Sequence, residues 1–263
     1  MEHGATLEPI STTRSLERAL RILCGFNHER QSLTLTQLSE TIDLPKATVF
    51  RLCATLLKYR FLLYDEDSKR YSLGPKLFEL GTILWSSLSL RKIASPYLVD
   101  LHSTISKNLS LAILDDDELL YIDRIQDKRS SSGFGSDIGW RRPSHYGVLG
   151  QVLTAFLPDK EVDRLLEKTP LNPLTRKSIV NKRQFKEILR TIREQGFVVE
   201  EGTVFEGVTG IGAPIRDSLQ NVVAALGVTF ISSLEDPAGI KRLTEHVVRA
   251  AQAISKELGC RGP

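Results

Sequence analysis

The chain has 263 residues, of which 41% are hydrophobic and 25% are charged, and its formal net charge is +3 at pH 7. This length allows one large domain or two ordinary domains, and the apolar content suffices for packed cores. The small net charge argues against a generally basic protein that coats nucleic acid, so a DNA contact would have to rest on local placement of charge.

The cysteines Cys24, Cys53 and Cys260 are odd in number and lack the paired spacing of a zinc site. Cys24 and Cys53 fall on apolar helical faces, which favours buried thiols in a reducing compartment. No stretch resembles a signal peptide or a membrane-spanning helix. The sequence therefore predicts a soluble cytoplasmic protein with no metal, no cofactor and no membrane contact.

The first dozen residues are predicted to form a flexible arm. Arg14, just after them, is a candidate for a phosphate or minor-groove contact, with a disordered tail as the more common alternative. Apolar residues then recur at helical spacing from Ser15, the expected N-cap. The pattern predicts an amphipathic helix that packs on the core or on a partner subunit.

Residues 33–74 have the pattern of a winged helix-turn-helix. A short helix over about Thr36–Thr41 leads to a tight corner around Asp43, a residue type that tolerates the left-handed conformation. Pro45 opens a second helix, because its missing N–H is not needed in the first turn. We expect apolar side chains to pack the two helices together.

The second helix has the chemistry of a DNA major-groove reader. Its N-terminal residues would reach base edges, and Arg51 could bind a guanine edge or a phosphate. Between residues 44 and 64 four residues are basic and none is acidic. The alternative is an ordinary helix pair with a solvated basic face. The candidate contacts of this helix are Lys46, Ala47, Thr48, Arg51 and Thr55.

Two β-type runs around the polar turn at residues 65–68 predict a hairpin. Lys69 and Arg70 lie just past its tip, where a wing would meet the DNA backbone. The candidate DNA contacts also include Thr34 and Thr36, at the start of the short helix that precedes the corner at Asp43. A surface hairpin of mixed charge is the alternative, but helix, helix and hairpin in this order favour DNA binding.

The rest of the sequence predicts a connecting helix over residues 75–96. This helix would either offer dimer contacts or be a plain core helix of one of the two domains. Residues 97–263 alternate helix-like and strand-like patterns, and antiparallel strands between helices favour an α+β ligand-binding domain. An acidic run at residues 115–118 suggests either a cation site or, more commonly, a solvated turn. The predicted domains are thus residues 12–74, a linker helix at 75–96 and residues 97–263.

Over nearly its full length the chain resembles the IclR family of bacterial transcriptional regulators. The resemblance is carried by SLERALRIL, LTLTQLSETIDLPKATVFRLCATL, RYSLGPKLFELG, RRPSHYGVLGQVLTAFLP and EGVTGIGAPIRDSLQNVVAALGVT. It implies an α+β fold with an N-terminal winged helix-turn-helix domain, a linker helix and a C-terminal GAF-like effector-binding domain. It also implies dimers, or dimers of dimers, on palindromic operators, commonly near genes that degrade small organic acids and aromatics.

The same resemblance implies an effector pocket. The typical family pattern after the Pro-x-His turn is His-Ala-Thr/Ser-Ala/Gly-x-Gly-Lys, from which this chain departs at Tyr146, Gly147 and Gln151. Helix N-terminal N–H groups near Gly147 could receive a carboxylate. Each residue could instead be structural, but as a set they favour a pocket. The implied residues are Ile122, Phe134, His145, Tyr146, Gly147, Val148, Leu149, Glu200, Val208, Gly210, Gly227 and Thr229.

These expectations describe a ligand-responsive repressor or activator that binds double-stranded DNA. An enzyme is disfavoured because the chain has no Gly-x-Ser-x-Gly elbow, no phosphate-binding loop and no His-Glu-x-x-His pair. A DNA-binding architectural regulator without a small-molecule effector remains the alternative.

Overall fold

The computed structural model describes residues 13–87, 89–127 and 137–260, and for residues 84–87 the backbone only. The predicted N-terminal arm and Phe134 lie outside these ranges. The chain divides into two compact units, Met1–Ser87 and Leu88–Pro263.

The first unit combines helices with a small three-stranded antiparallel sheet in the order β1-β3-β2. Its elements are α1 (Arg14–Cys24), β1 (Ser32–Thr34), α2 (Leu35–Ile42), α3 (Lys46–Lys58), β2 (Leu62–Asp65), β3 (Arg70–Leu73) and α4 (Pro75–Ser87). The winged helix-turn-helix predicted from residues 33–74 is therefore present. The short strand β1 was not predicted, because three residues are too few to show an alternating pattern.

Helix N-termini in this unit follow local capping chemistry. α1 begins after Thr13, so the predicted N-cap at Ser15 is wrong by two residues. α2 begins after Thr34, which forms a reciprocal pair with Gln37: the threonine hydroxyl accepts from the Gln37 N–H and the Gln37 side chain accepts from the Thr34 N–H. Two N–H groups that the helix itself cannot satisfy are thereby satisfied.

Side chains from α1, α2, α3 and the wing share one core. All of them except Phe26, which follows α1, come from the inner face of a helix or from a strand. Its buried members are Ile22, Phe26, Leu33, Leu38, Ile42, Val49, Cys53, Leu56, Leu62 and Tyr71. Burial raises the pKa of the Cys53 thiol to about 11, so this cysteine is an uncharged core residue at neutral pH. Cys24 is exposed, against the prediction that both thiols are buried.

The second unit is built on a six-stranded antiparallel sheet in the order β6-β5-β4-β9-β8-β7. The strands are β4 (Asn108–Asp115), β5 (Glu118–Ile125), β6 (Arg141–Pro143), β7 (Val198–Glu201), β8 (Val208–Arg216) and β9 (Val222–Ile231). The helices are α5 (Ser89–Ile105), α6 (Gly147–Ala155), α7 (Asp159–Lys168), α8 (Lys182–Gln195) and α9 (Pro237–Glu257). The predicted α+β class is confirmed.

Helices cover both faces of this sheet and bury two separate cores. α5 and α9 pack on one face, while α6, α7 and α8 pack on the other. Because side chains alternate across a strand, Ile122 belongs to the first core and its neighbour Tyr121 to the second. This alternation decides which residues can reach the cavity described below.

The described residues of the connecting helix predicted over residues 75–96 are helical, as α4 at Pro75–Ser87 and as the first part of α5. α5 continues beyond the predicted end, from Ser89 through Pro96 to Ile105. A proline usually ends a helix, which is why the connecting helix was predicted to end at Pro96. Ala94, Leu98 and Leu101 are buried against the sheet, and this packing on both sides of Pro96 keeps the segment helical.

The acidic run at residues 115–118 is a strand turn bound by protein cations. Asp117 accepts a hydrogen bond from Lys168 Nζ at 2.8 Å and further bonds from Arg164, while Asp115 pairs with Arg141. The hydrogen bonds from Arg164 and Lys168 hold the pKa of Asp117 well below its usual value. The turn is therefore tied to α7 and to β6. Within the described ranges, no group of three or more His, Cys, Asp or Glu side chains is arranged to hold a metal ion.

Candidate DNA-contact surface and effector cavity

The corner between α2 and α3 has the geometry of a helix-turn-helix. Asp43 adopts the left-handed conformation, with φ 51° and ψ 57°, as its residue type predicted. Ser39 Oγ donates to the Leu44 carbonyl at 2.5 Å, and Arg21 donates to the Ile42 carbonyl at 2.9 Å. These bonds hold the start of α3 in place relative to α1 and α2.

The predicted reading face of α3 points to solvent. Lys46, Ala47, Arg51 and Thr55 are exposed and Thr48 is half-buried, while the opposite face is buried in the core. Five of the ten predicted DNA contacts thus lie on α3, on a surface with basic and hydroxyl-bearing side chains. Arg14 and Thr36 are also exposed, on α1 and α2.

Two other predicted DNA contacts have roles within the fold. The Thr34 hydroxyl is engaged in capping α2, and Arg70 donates from Nη1 to the Ser32 carbonyl at 3.1 Å, which joins β3 to β1. Lys69 is exposed at the wing tip, where Asp65 Oδ1 accepts from the N–H groups of Asp67 and Ser68. Of the wing residues, Lys69 is the better placed for a phosphate.

The sequence interpretation overlooked Phe50. Its side chain is 56% exposed on α3, immediately before Arg51. The signal was available in the sequence, because the buried residues Val49, Cys53 and Leu56 follow one another at spacings of four and three, and Phe50 falls between two members of that series.

In the second unit, a small cavity of about 60 Å³ lies between the sheet and the start of α6. Most of the predicted effector residues meet here, although they come from four separate segments of the chain. These are Tyr146, Gly147, Val148, Leu149, Glu200, Val208, Gly210, Gly227 and Thr229. The prediction missed further lining residues, namely Ser110, Tyr121, Thr203, Val204 and Phe205.

Glycines in β8 and β9 bring α6 close to the sheet. A Cβ on Gly210 would lie 2.9 Å from Val148, and one on Gly227 would lie 2.7 Å from Leu149. Gly147, at the first position of α6, has φ +59°, a conformation that side-chain-bearing residues rarely adopt. These glycines shape the cavity by packing, and their role as ligand contacts stays a prediction.

Two predicted effector residues lie elsewhere. Ile122 is buried in the core on the opposite face of the sheet, so the structure does not bring it to the cavity. His145 lines a second, outer cavity of about 260 Å³ that adjoins the first. The two cavities share Tyr146, Gly147 and Thr203 among their lining residues.

The outer cavity is more polar than the inner one. Among the described residues, buried His145 Nδ1 and Gln151 Oε1 have no hydrogen-bond partner. The Arg142 guanidinium lies over the rings of Trp140 and Tyr146, 4.8 and 5.3 Å from their centroids. Buried polar atoms without a partner are costly, so these groups are suited to bind a polar ligand or water.

Glu200 is an acid that lines the inner cavity and contacts Gln151, which lines the outer one. Burial raises its pKa above the usual value, and interactions of the carboxylate with Thr203 and Gln151 offset part of that rise. Gln151 Nε2 donates to Glu200 Oε2 at 2.6 Å. Burial also lowers the pKa of His145. Both changes favour the neutral forms, which can donate to or accept from a ligand without the cost of a buried charge.

A winged helix with an exposed basic face, in one chain with an α+β unit that contains a cavity, is the architecture of a DNA-binding transcriptional regulator. The family domain described as IclR helix-turn-helix domain matches residues 15–66, and the one described as Bacterial transcriptional regulator IclR C-terminal matches residues 83–256. The chain belongs to the IclR family. It is a transcriptional regulator, as its relatives are, and not an enzyme.

Similarity to known proteins extends over more than nine-tenths of the chain. The HTH-type transcriptional regulator XynR of Escherichia coli is 31% identical over 246 residues, which cover 94% of this chain and 97% of XynR. A regulator from Rhodococcus sp. RHA1 has a similar structure, with a TM-score of 0.83, 29% identity and coverage of 94% and 98%. An IclR homologue from Microbacterium hydrocarbonoxydans, solved with 4-hydroxybenzoate, has a TM-score of 0.81, 25% identity and coverage of 93% and 98%.

Within the described ranges, no helix has both the length and the apolar character that a membrane crossing would require.

Proposed function

We propose that this regulator controls a catabolic operon in response to a small organic acid or an aromatic metabolite. It binds a palindromic operator as a homodimer or a dimer of dimers in the cytoplasm. The observation that carries the proposal is the convergence of residues from α6, β7, β8 and β9 on one cavity beside buried polar atoms that lack a protein partner.

The chemistry of the cavity supports a ligand of this class. Gly147, Val148 and Leu149 form the first turn of α6, where N–H groups have no acceptor within the helix and attract anions. Apolar lining from the same turn and from Val208 favours a hydrocarbon body. The 4-hydroxybenzoate bound to the Microbacterium relative combines both features.

The inner cavity alone is small for an aromatic ring. A cavity of about 150 Å³ admits benzene, whereas the inner cavity measures about 60 Å³. A ring would therefore need the outer cavity as well, with Tyr146 at the boundary. A DNA-binding architectural regulator without an effector remains the second candidate, favoured only by this small inner volume.

DNA binding is tested first on Arg51. Replacing Arg51 with Ala should weaken operator binding by about 1–3 kcal/mol if the guanidinium reads a base edge, because the base loses its bidentate partner. The operator is obtained by selecting random DNA on the wild-type protein, and affinities are measured by gel shift at fixed salt. Arg30→Ala, a change in the exposed loop before β1, is the matched control. Equal operator affinity of the Arg51 variant and the wild type would contradict the assignment of α3.

A further inference from the structure

Phe50 is a large apolar side chain that the described part of the chain leaves more than half exposed. The ring is 56% exposed, although α3 has a buried face available one position earlier at Val49. Exposing an aromatic ring forgoes part of the stabilisation that its burial would contribute. The position of Phe50 on the helix therefore calls for a function outside the core of this unit.

Its neighbours on α3 leave the ring protruding. Ala47 lies one turn before Phe50 and Ala54 one turn after it, and both are exposed. Residues three and four apart share a helical face, so Phe50 stands between two methyl side chains. A surface with small residues on both sides allows the helix backbone to come close to a partner while the ring reaches further.

Charge identifies the partner as DNA. Lys46 and Arg51 flank the ring, and residues 44–64 include no acid. Such a surface complements the phosphates on both sides of a DNA groove, whereas a protein partner would more often meet a larger apolar patch. The rim of base edges in the major groove is polar except for the C5-methyl group of thymine.

We propose that Phe50 contacts the C5-methyl group of a thymine in each operator half-site and thereby specifies that base. This inference rests on the proposed binding of α3 in the major groove. The base lies beside the one bound by Arg51, because the two residues are adjacent on the helix. Phe50 then supplies an apolar contribution to specificity next to the polar contribution of Arg51.

The test removes the thymine methyl group from the DNA and leaves the wild-type protein unchanged. Each thymine of the selected operator is replaced in turn by deoxyuridine, which keeps base pairing and lacks only the methyl. Loss of one buried methyl, about 0.8 kcal/mol, should weaken wild-type binding about fourfold per half-site at one symmetric pair of positions. The F50A variant should bind more weakly overall and show no loss at that pair.

Two variants keep the experiment decisive. F50L retains an apolar side chain and serves for the comparison if F50A binds too weakly to measure. Y59A removes another exposed aromatic side chain, 61% exposed just after the end of α3, and should keep the wild-type response to deoxyuridine. Melting temperatures of all variants show whether the fold is intact.

The proposal is overturned if no deoxyuridine weakens the wild type, or if F50A loses the same factor at the same position. A change in the oligomeric state of F50A with an unaltered deoxyuridine response would place the ring in a subunit contact instead. If the wild-type protein enriches no sequence at all, operator binding itself fails, and this inference falls with it. If an operator is enriched but its affinity does not depend on any thymine methyl group, only the proposed role of Phe50 is rejected.

Discussion

Glu200 and Gln151 show how single residues adapt this cavity to its chemistry. The carboxyl group is desolvated between the sheet and α6, and burial raises its pKa. The Gln151 amide donates to it, which leaves Gln151 Oε1 without a partner among the described residues. A neutral Glu200 could donate to a ligand oxygen, whereas an ionised one would repel a ligand carboxylate.

The raised pKa of Glu200 predicts a pH-dependent stability. The folded chain holds this proton more tightly than the unfolded chain, so the stabilisation is complete below the usual pKa of 4.5 and is lost as pH rises through the folded-state pKa. Glu200→Gln removes the titration. We expect the variant to gain stability relative to wild type as pH rises from about 4.5 to 8, measured by urea unfolding.

The matched control for this prediction is Glu201→Gln. Glu201 is the next residue on β7, is exposed and pairs with Lys177 at the surface. The Glu201→Gln variant should show the same pH dependence of unfolding as the wild type. A constant stability difference between Glu200→Gln and wild type across this pH range would show that burial does not perturb Glu200.

At the scale of elements, α2 depends on its N-terminal cap. Thr34 and Gln37 exchange hydrogen bonds at the point where β1 becomes α2. The sequence predicted Thr34 as a DNA contact. The structure instead uses the Thr34 hydroxyl inside the unit, and whether it also approaches DNA stays a prediction.

Replacing Thr34 with Ala should destabilise the winged-helix unit by about 1 kcal/mol, because the N–H of Gln37 loses its acceptor. Thr36→Ala, an exposed change two residues later in the first turn, is the control and should change stability little. Thermal unfolding followed by circular dichroism measures both. Equal stability of the two variants would argue against the capping role.

At the scale of the whole molecule, the proposed function requires that ligand and DNA affect each other's binding. An effector can shift operator affinity only through a different affinity for the two states of the regulator. Coupling of about 1–3 kcal/mol would change operator affinity about 5- to 150-fold. A lower operator affinity with effector bound means that the effector releases the regulator from DNA, and a higher affinity means that it tightens binding.

A thermal-shift screen of small acids and phenols should therefore find a compound that raises the melting temperature, since ligand bound only to the folded state stabilises it. The same compound should change operator affinity in a gel shift. Thr229→Val keeps the shape of the cavity lining and removes its hydroxyl, so it should reduce both effects together. A compound that stabilises the protein and leaves operator affinity unchanged would favour the architectural alternative.

The sequence by itself determined the features that depend on local side-chain chemistry and on the spacing of apolar residues. The left-handed corner at Asp43 and the outward basic face of α3 follow from residue types and helical spacing within a few turns. The family segments also include α6 and the strands that carry Gly210 and Thr229. These features were predictable because short-range sterics and the alternation of buried and exposed positions are visible in a single segment.

Only the tertiary structure decided how distant segments meet. It placed Tyr121 at the cavity and Ile122 on the opposite face of the sheet, since one residue of strand register exchanges the two faces. It carried α5 through Pro96 and added Thr203 to the cavity wall from a loop without a motif. Packing between elements settles these positions, and no local pattern records which surfaces will come together.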